Sequence, residues 1–277
     1  MSDSPRRFFL TGCASGIGQH LAAALLARGH RVWATDIAQA ELEGHARAHL
    51  WPADRVTLRR LDVTDADAWE RVYEEAIVAL GGIDVHMNIA GYLQPAWICD
   101  AEVADVHRHL DINTKGVIFG TRLAARHMCA RGEGHIINVA SLASLSPVPG
   151  LALYCASKYA VRGFSLAAAV ELREHGVHVT TVCPDGVKTP MVDKQLDREE
   201  AALTFSGARL LTVEDVAAAI LDRALVRKPM QLSLPRSRAL LARLADLAPS
   251  LGLRARPLLM KLGRRRQQLL TRRRATK

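Results

Sequence analysis

Short apolar or β-branched segments alternate with longer helical patterns from the N-terminus to about Pro235. Parallel strands are joined by crossover connections that are usually helices, so this alternation predicts repeated βαβ units. The predicted strands span residues 7–10, 31–35, 56–61, 84–88, 134–140, 177–183 and 230–234. The predicted helices span residues 17–28, 39–49, 67–80, 102–131, 151–175 and 213–226. We therefore expect an α/β fold with one parallel sheet of about seven strands.

A glycine-rich segment, TGCASGIG at residues 11–18, connects the first predicted strand directly to the first predicted helix. Glycines permit a tight turn and let the backbone approach a pyrophosphate, and the free N–H groups of a helix N-terminus attract phosphate. An ordinary strand-to-helix turn is the alternative. The predicted dinucleotide contacts are Gly12, Ser15, Gly16, Ile17 and Gly18.

Polar residues follow the second, third and fourth predicted strands, where open parallel sheets bind ligands. Asp36 stands about 20 residues beyond the glycine loop, where a carboxylate accepts hydrogen bonds from the adenosine ribose and repels a 2′-phosphate. Asp36 therefore predicts binding of NAD in preference to NADP. Capping of the next helix is the alternative role of this residue. The other residues expected on this side of the cofactor cleft are Asp62, Val63, Asn88, Ala90 and Gly91.

A candidate catalytic set lies further along the chain. Tyr154 and Lys158 are four residues apart and share a helical face, so the ammonium would lower the phenol pKa from about 10 towards the working range. Tyr154 would then act as a general base. Ser141 follows the fifth strand, and Asn113 lies in an upstream helix. Each residue taken singly has an ordinary structural alternative, but the ordered set favours catalysis.

These motifs closely resemble those of the classical short-chain dehydrogenase/reductase family. The resemblance covers about residues 6–235 and implies a single doubly wound, Rossmann-type catalytic domain at 1–235. Its motifs are the glycine loop, Asp62, NIAG at residues 88–91, Asn113 within NTKG, Ser141, YCASK at residues 154–158, and Pro184 with Thr189.

The resemblance also implies a role for each catalytic residue. Tyr154 is the acid/base, and Lys158 lowers its pKa while binding the nicotinamide ribose. Ser141 holds the substrate oxygen. Asn113 anchors a water that links Lys158 to bulk solvent. Such a set stabilises an alkoxide-like oxygen while hydride passes between carbinol carbon and nicotinamide.

Two departures from the family pattern affect the cofactor cleft. The usual NNAG reads NIAG, which removes one amide side chain. After the sixth strand, Asp185 replaces a flexible glycine and Gly186 replaces an aromatic residue. Asp185 is expected either to contact substrate or to be a solvated turn residue. The cofactor contacts still expected from this segment are Pro184, Val187 and Thr189.

In this family the substrate pocket is lined by the segments after the fourth, fifth and sixth strands. Here those segments are mostly apolar and offer no evident Arg or Lys to anchor a phosphate or carboxylate, which predicts a lipophilic substrate such as a steroid, a retinoid or a long-chain compound. Core packing is the alternative role for many of these side chains. The predicted substrate contacts are Leu93, Trp97, Leu142, Val148, Asp185 and Met191.

The positive charge of the chain is concentrated near its C-terminus. From residue 227 onwards, 15 Lys and Arg residues stand against one acid, Asp246, for a net charge of +14, whereas the preceding residues carry 22 bases and 27 acids. Residues 236–277 form Leu- and Arg-rich helical patterns that we expect to break at Pro249 and Pro257. This basic amphipathic extension either attaches peripherally to an anionic membrane or packs on the body or on another subunit; nucleic acid is not favoured.

Cysteine usage and hydropathy indicate the cellular setting. The five cysteines are scattered without ligand spacing, which predicts no metal site and a reducing compartment. With neither a signal-peptide pattern nor an apolar run of about 18 residues, we expect a cytoplasmic protein. Related enzymes assemble through the two long helices, so a homodimer or homotetramer is expected.

Two functions from different classes follow. The first is an NAD-dependent oxidoreductase that acts on a lipophilic secondary alcohol or ketone. The second is an NAD-binding redox sensor or scaffold whose basic tail holds an acidic partner. The complete Ser, Tyr and Lys set favours the enzyme, because a sensor needs no activated phenol.

Overall fold

The structure is a computed structural model that describes the backbone of residues 5–275 and the side chains of that range except those of residues 251, 273 and 275. Its strands are β1 (Arg7–Thr11), β2 (Arg31–Asp36), β3 (Val56–Arg60), β4 (Val85–Asn88), β5 (Gly134–Val139), β6 (Val177–Pro184) and β7 (Gln231–Leu234). They form one parallel sheet in the order β3-β2-β1-β4-β5-β6-β7. Every predicted strand is present, and the predicted doubly wound parallel fold is confirmed.

Helices connect successive strands and cover both faces of the sheet. They are α1 (Gly16–Ala27), α2 (Gln39–Ala48), α3 (Ala66–Leu80), α4 (Val103–Leu110), α5 (Gly116–Arg131), α6 (Ala152–Glu171), α7 (Pro190–Asp193), α8 (Val213–Ala219) and α9 (Leu225–Arg227). Helices α10 (Arg236–Leu247) and α11 (Pro249–Ala275) follow the last strand. Single turns of 3₁₀ helix lie at Ile98–Asp100, Leu142–Ser144 and Leu172–His175, and a longer 3₁₀ segment lies at Glu199–Ser206.

Two of the predicted helices are interrupted by wider, π-helical turns. The turn Asp111–Lys115 separates α4 from α5, and the turn Ile220–Ala224 separates α8 from α9. A π turn accommodates an extra residue, and such turns are frequent at functional sites. Hydrophobic periodicity did not reveal them, because the backbone remains in the right-handed helical region on both sides of each turn.

The side chains of β1 divide the core into two parts. Phe8 and Leu10 point to the face covered by α1 and α8, whereas Phe9 points to the other face and packs with Trp69 and Tyr73 of α3. Successive side chains of a strand alternate between the two faces of the sheet. Both faces of β1 are therefore buried, as in parallel sheets that carry helices on both sides.

The strand order creates a crevice at the carboxyl ends of β1 and β4. The chain runs outward from β1 to β2 and β3, and it then returns to place β4 on the other side of β1. Open parallel sheets bind ligands where the strand order reverses in this way. The glycine loop and the segments after β4, β5 and β6 consequently meet at one edge of the sheet.

The C-terminal extension packs on the body through α11, which is one of the two predicted alternatives, while Leu240, Leu244 and Leu247 on α10 remain exposed. Helix α11 lies against Glu199–Ser206, and a Cβ atom at Gly263 would lie only 2.0 Å from the carbonyl oxygen of Ala202. The buried amide of Gln267 donates to the carbonyl oxygens of Gln195 and Arg198, both at 2.7 Å. None of the helices in the described range 5–275 has the length and apolar character that a membrane span requires.

The helix break predicted at Pro257 is wrong. Helix α11 begins at Pro249, a favoured first position, and continues through Pro257. A proline inside a helix costs about 3 kcal/mol, because it removes a hydrogen bond and clashes with the preceding turn. The packing of the later half of α11 on the body offsets this cost.

Candidate active site

The glycine loop turns sharply between β1 and α1. Gly12 has a φ of 72°, and a Cβ atom there would lie 2.8 Å from Cα of Ala90. At Gly18 a Cβ atom would lie 2.1 Å from the carbonyl oxygen of Gly12. Helix α1 begins at Gly16, directly after Ser15, so its free N–H groups lie at the crevice edge. This arrangement fits a pyrophosphate.

Asp36 connects the end of β2 with the glycine loop. Its carboxylate accepts hydrogen bonds from the N–H groups of Ala14 and Ala38, each at 2.9 Å. The N-cap position of α2 is occupied by Ala38, so the alternative role of Asp36 as that cap is wrong. The half-buried carboxylate lies beside the loop, where an adenosine ribose is bound in folds of this type.

The turn after β3 supplies the wall on the same side of the crevice. Asp62 accepts hydrogen bonds from the N–H and the hydroxyl of Thr64, at 2.9 and 2.7 Å, and so stabilises this turn. Val63 packs closely on the start of α5, because a Cβ atom at Gly116 would lie 3.0 Å from its side chain. Both residues are therefore positioned by local contacts that do not need the cofactor.

Asn88 does not have the position predicted for it. Its side chain, expected in the cofactor cleft, is buried, and its amide donates to Oδ1 of Asn138 at 2.9 Å and to Oγ1 of Thr121 at 3.2 Å. Asn88 thus ties β4 to β5 and α5. The next residues along the chain reach the crevice instead, and Gly91 lines it.

Tyr154, Lys158 and Ser141 converge at the carboxyl end of β5. Lys158 is buried, and its Nζ donates to the carbonyl oxygen of Val139 at 2.9 Å. The same nitrogen lies 5.7 Å from the centre of the Tyr154 ring. The Ser141 hydroxyl lies close enough to Tyr154 to lower its pKa by hydrogen bonding. The helical spacing of Tyr154 and Lys158 therefore brings both groups to one point, as predicted.

Asn113 lies in the π-helical turn between α4 and α5. Its Nδ2 donates to the carbonyl oxygen of Tyr92 and to Oγ of Ser157, both at 2.9 Å, and its Oδ1 accepts from the N–H of Tyr92 at 2.7 Å. A Cβ atom at Gly91 would lie 3.4 Å from that Oδ1 and 3.7 Å from Nζ of Lys158. The missing side chain at Gly91 leaves open the space between Asn113 and Lys158.

Burial dominates the electrostatics of the catalytic pair. Removal from water raises the pKa of Tyr154 to about 12, and the Ser141 hydroxyl offsets part of this effect. Burial also lowers the pKa of Lys158 to about 8. The lowered phenol pKa expected from the sequence is thus not found, because burial disfavours the charged form of both groups. Ionising Tyr154 near neutral pH requires additional positive charge beside the phenol.

An apolar cavity of about 280 Å³ adjoins Ser141, Tyr154 and Lys158. The predicted cofactor residues in its lining are Ile17, Gly91, Pro184, Val187 and Thr189. The predicted substrate residues in its lining are Leu93, Leu142, Val148, Asp185 and Met191. Trp97 is absent from the lining, so this prediction is wrong. The N–H of Ala96 donates to the carbonyl oxygen of Gly150 at 3.0 Å, which directs the loop past the cavity.

Part of the cavity wall comes from the C-terminal extension, to which the sequence assigned no pocket residue. Helix α10 contributes one face of Arg238, Leu241, Ala242 and Ala245. The Tyr159 hydroxyl on α6 donates to Asp246 at 2.7 Å and holds α10 over the cavity. The leucine periodicity indicated a helix here, but only the tertiary structure shows which face covers the site.

Asp185 is paired with Arg238 inside this cavity. Nε of Arg238 lies 2.6 Å from Oδ2 of Asp185. Burial raises the pKa of the Asp185 carboxyl, and the guanidinium opposes this effect. The cavity therefore does contain a basic side chain, contrary to the expectation from the sequence. The positive charge of Arg238 is compensated by the carboxylate of Asp185, which stands where the family pattern has a glycine.

Comparison with known proteins identifies the family. A family profile described as short chain dehydrogenase matches residues 6–200. The chain belongs to the short-chain dehydrogenase family. This dehydrogenase is 35% identical over 196 residues to 2-(R)-hydroxypropyl-CoM dehydrogenase of Xanthobacter autotrophicus, with 69% of its own chain and 78% of the relative covered. It is 36% identical over 184 residues to 3-alpha-(or 20-beta)-hydroxysteroid dehydrogenase of Mycobacterium tuberculosis, with 66% and 70% covered.

Solved structures share the fold. A short-chain dehydrogenase/reductase of Burkholderia phymatum in complex with NAD superposes with a TM-score of 0.81 at 22% identity, covering 91% of this chain and 96% of the other. ElxO with NADP bound gives a TM-score of 0.75 at 26% identity, covering 83% and 97%. The family binds nicotinamide cofactors, and both NAD and NADP occur among these structures. This chain is accordingly an oxidoreductase of the same family.

Replacing Tyr154 tests its catalytic role. Tyr154→Phe removes the hydroxyl that exchanges a proton with substrate, and we expect turnover to fall roughly 100- to 10,000-fold with little change in cofactor affinity. Turnover is measured by nicotinamide absorbance, and cofactor affinity by fluorescence titration. Tyr73→Phe is the matched control, since its buried hydroxyl has no hydrogen-bond partner among the described residues. Undiminished turnover in Tyr154→Phe would refute the assignment.

Proposed function

We propose that this dehydrogenase transfers hydride between NAD and a lipophilic secondary alcohol or ketone, of steroid-, retinoid- or long-chain type. The observation that carries the proposal is the apolar cavity directly beside Ser141, Tyr154 and Lys158. Apolar cavities with a few convergent polar groups are typical of small-molecule sites. The complete catalytic set argues against a sensor without catalysis.

Each catalytic residue has a separate role in the reaction at the substrate oxygen. Ser141 and Tyr154 hydrogen-bond this oxygen, and during alcohol oxidation Tyr154 accepts the carbinol proton. The form of Tyr154 that accepts this proton is the phenolate, and the positive charge of Lys158 stabilises it. Asn113 holds the loop after β4 and leaves space for a water between itself and Lys158. A nicotinamide held by the glycine loop, Val187 and Thr189 would supply the hydride acceptor, and in its oxidised form it would also supply positive charge.

The position of Asp36 supports the preference for NAD. Its carboxylate lies beside the glycine loop, where a 2′-phosphate would meet a like charge. Asp36→Asn keeps an oxygen that accepts a backbone hydrogen bond and removes the charge. We expect the ratio of kcat/KM for NAD over NADP to fall about tenfold, which corresponds to ~1.4 kcal/mol. Asp67→Asn, an exposed site on α3, is the control, and an unchanged ratio in Asp36→Asn would contradict the proposal.

The pair Asp185 and Arg238 supports a neutral substrate, because the guanidinium is already compensated. Asp185→Asn should free this charge and raise kcat/KM for a carboxylated secondary alcohol about tenfold relative to its neutral analogue. The double variant Asp185→Asn/Arg238→Gln should lose that gain. The two substrates are compared by initial rates for each variant. A gain that persists in the double variant would show that Arg238 is not its source.

We also propose that the enzyme works in the cytoplasm, attached peripherally to an anionic membrane surface. Leu240, Leu244 and Leu247 follow one another along α10 at helical spacing and are 60%, 53% and 83% exposed. Exposed leucines beside many basic residues are typical of helices that lie in a membrane interface. The opposite face of α10 lines the cavity, which suits a substrate drawn from the bilayer.

Flotation with vesicles that contain phosphatidylglycerol tests this attachment. Leu244→Gln/Leu247→Gln should weaken binding strongly, because each leucine contributes about 1.5–3 kcal/mol when fully buried. The control Leu50→Gln/Val78→Gln removes side chains that are 87% and 77% exposed on the body. Equal binding by the two double variants would refute attachment through α10.

Assembly as a homodimer or homotetramer stays a prediction. Val103 on α4 and Val170 on α6 are 71% and 66% exposed, and they support an interface formed by these helices. Large exposed apolar residues on such helices are consistent with contact between subunits.

A further inference from the structure

A groove on the outer face of α10 is lined by basic side chains. Its arginines come from three elements: the π turn Ile220–Ala224, the short helix α9 and helix α10. They are Arg223, Arg227, Arg236 and Arg243. The groove has a volume of about 360 Å³, and its other polar side chains, Gln231 and Ser233, are neutral.

This groove is separate from the active-site cavity, because the two lie on different faces of α10. Arg236, Leu240 and Arg243 line the groove, whereas Arg238, Leu241 and Ala245 line the cavity. Within each set, the residues are three or four positions apart, which is the spacing of one helical face. The arginine groove is therefore not a part of the catalytic machinery.

The groove contains guanidinium nitrogens that have no hydrogen-bond partner among the described residues. Nε and Nη2 of Arg223 are buried, and neither has a hydrogen-bond partner within the described range. The adjacent Asp222 is engaged elsewhere, in an ion pair with Arg28 at 3.1 Å. Across the part of the chain that the structure describes, no ion pair includes any of the four groove arginines. Buried polar groups are normally satisfied, so these donors point to a missing anion.

Phosphate is the anion that suits this groove best. Guanidinium groups bind phosphate oxygens with two parallel hydrogen bonds, and several arginines together offset its full charge. Leu240 lies on the rim of the groove and is 60% exposed, and Leu244 continues this apolar edge along α10. A ligand with a phosphate beside a long apolar part would contact both features.

We propose that the arginine groove binds the phosphate of an anionic lipid headgroup. The proposal rests on the membrane attachment proposed above and names the site responsible for it. Binding there would hold the outer face of α10 at the membrane while its inner face covers the cavity. Leu241 is 65% exposed and lines the cavity, so the cavity edge at this helix would lie close to the bilayer.

Flotation of the full-length protein tests the site. Vesicles of phosphatidylcholine alone are compared with vesicles that also contain phosphatidylglycerol. The groove variant is Arg223→Gln/Arg243→Gln, and the control Arg254→Gln/Arg256→Gln removes the same charge from α11 outside the groove. General attraction to an anionic surface predicts equal losses, whereas a built phosphate site predicts a loss at least about tenfold larger for the groove variant. Melting temperature and cofactor binding verify that both variants are folded.

Three outcomes of the flotation experiment separate the proposals. A larger loss for the groove variant supports the lipid site. Equal losses overturn the site and leave membrane attachment intact, and failure of the unchanged protein to bind either vesicle overturns both. A parallel thermal-shift titration with inorganic phosphate identifies the source of the anion. Stabilisation by phosphate that the groove variant lacks, without vesicle binding, would overturn the lipid site in favour of a free phosphate.

Discussion

The contact between the turns after β1 and β4 positions the rest of the site. Gly12 approaches Ala90 so closely that a Cβ atom would lie 2.8 Å from its Cα, and the Thr11 hydroxyl accepts hydrogen bonds from the N–H groups of Ile89 and Ala90 at 3.0 and 3.1 Å. This contact brings the glycine loop against the loop that carries Gly91. A parallel sheet whose strand order reverses between these strands makes the contact possible.

Burial shifts the pKa values of both members of the catalytic pair. Tyr154 and Lys158 lie in an apolar environment where both charged forms are disfavoured. With a pKa of about 8, Lys158 still carries its charge near neutral pH, whereas Tyr154, with a pKa of about 12, does not ionise there without a compensating charge. Such an environment also strengthens electrostatic interactions with a charged ligand. The protein therefore holds Tyr154 and Lys158 in position, and the charge of the ligand that binds in the crevice influences whether Tyr154 ionises.

Helix α10 connects the active site with the outer surface of the molecule. The ion pair between Arg238 and Asp185 and the hydrogen bond between Tyr159 and Asp246 hold its inner face over the cavity. Its outer face carries exposed leucines and arginines. One helix thus forms both a wall of the cavity and the surface through which we propose membrane contact.

The sequence by itself determined the fold and most of the catalytic set. Strand and helix periodicity, the glycine loop and the four-residue spacing of Tyr154 and Lys158 are local patterns, and short-range geometry is sufficient to interpret them. Only the tertiary structure decided the inward orientation of Asn88, the exclusion of Trp97 from the cavity and the pairing of Asp185 with Arg238. These features depend on contacts between segments distant in the chain, and no local pattern specifies which side chains will meet there.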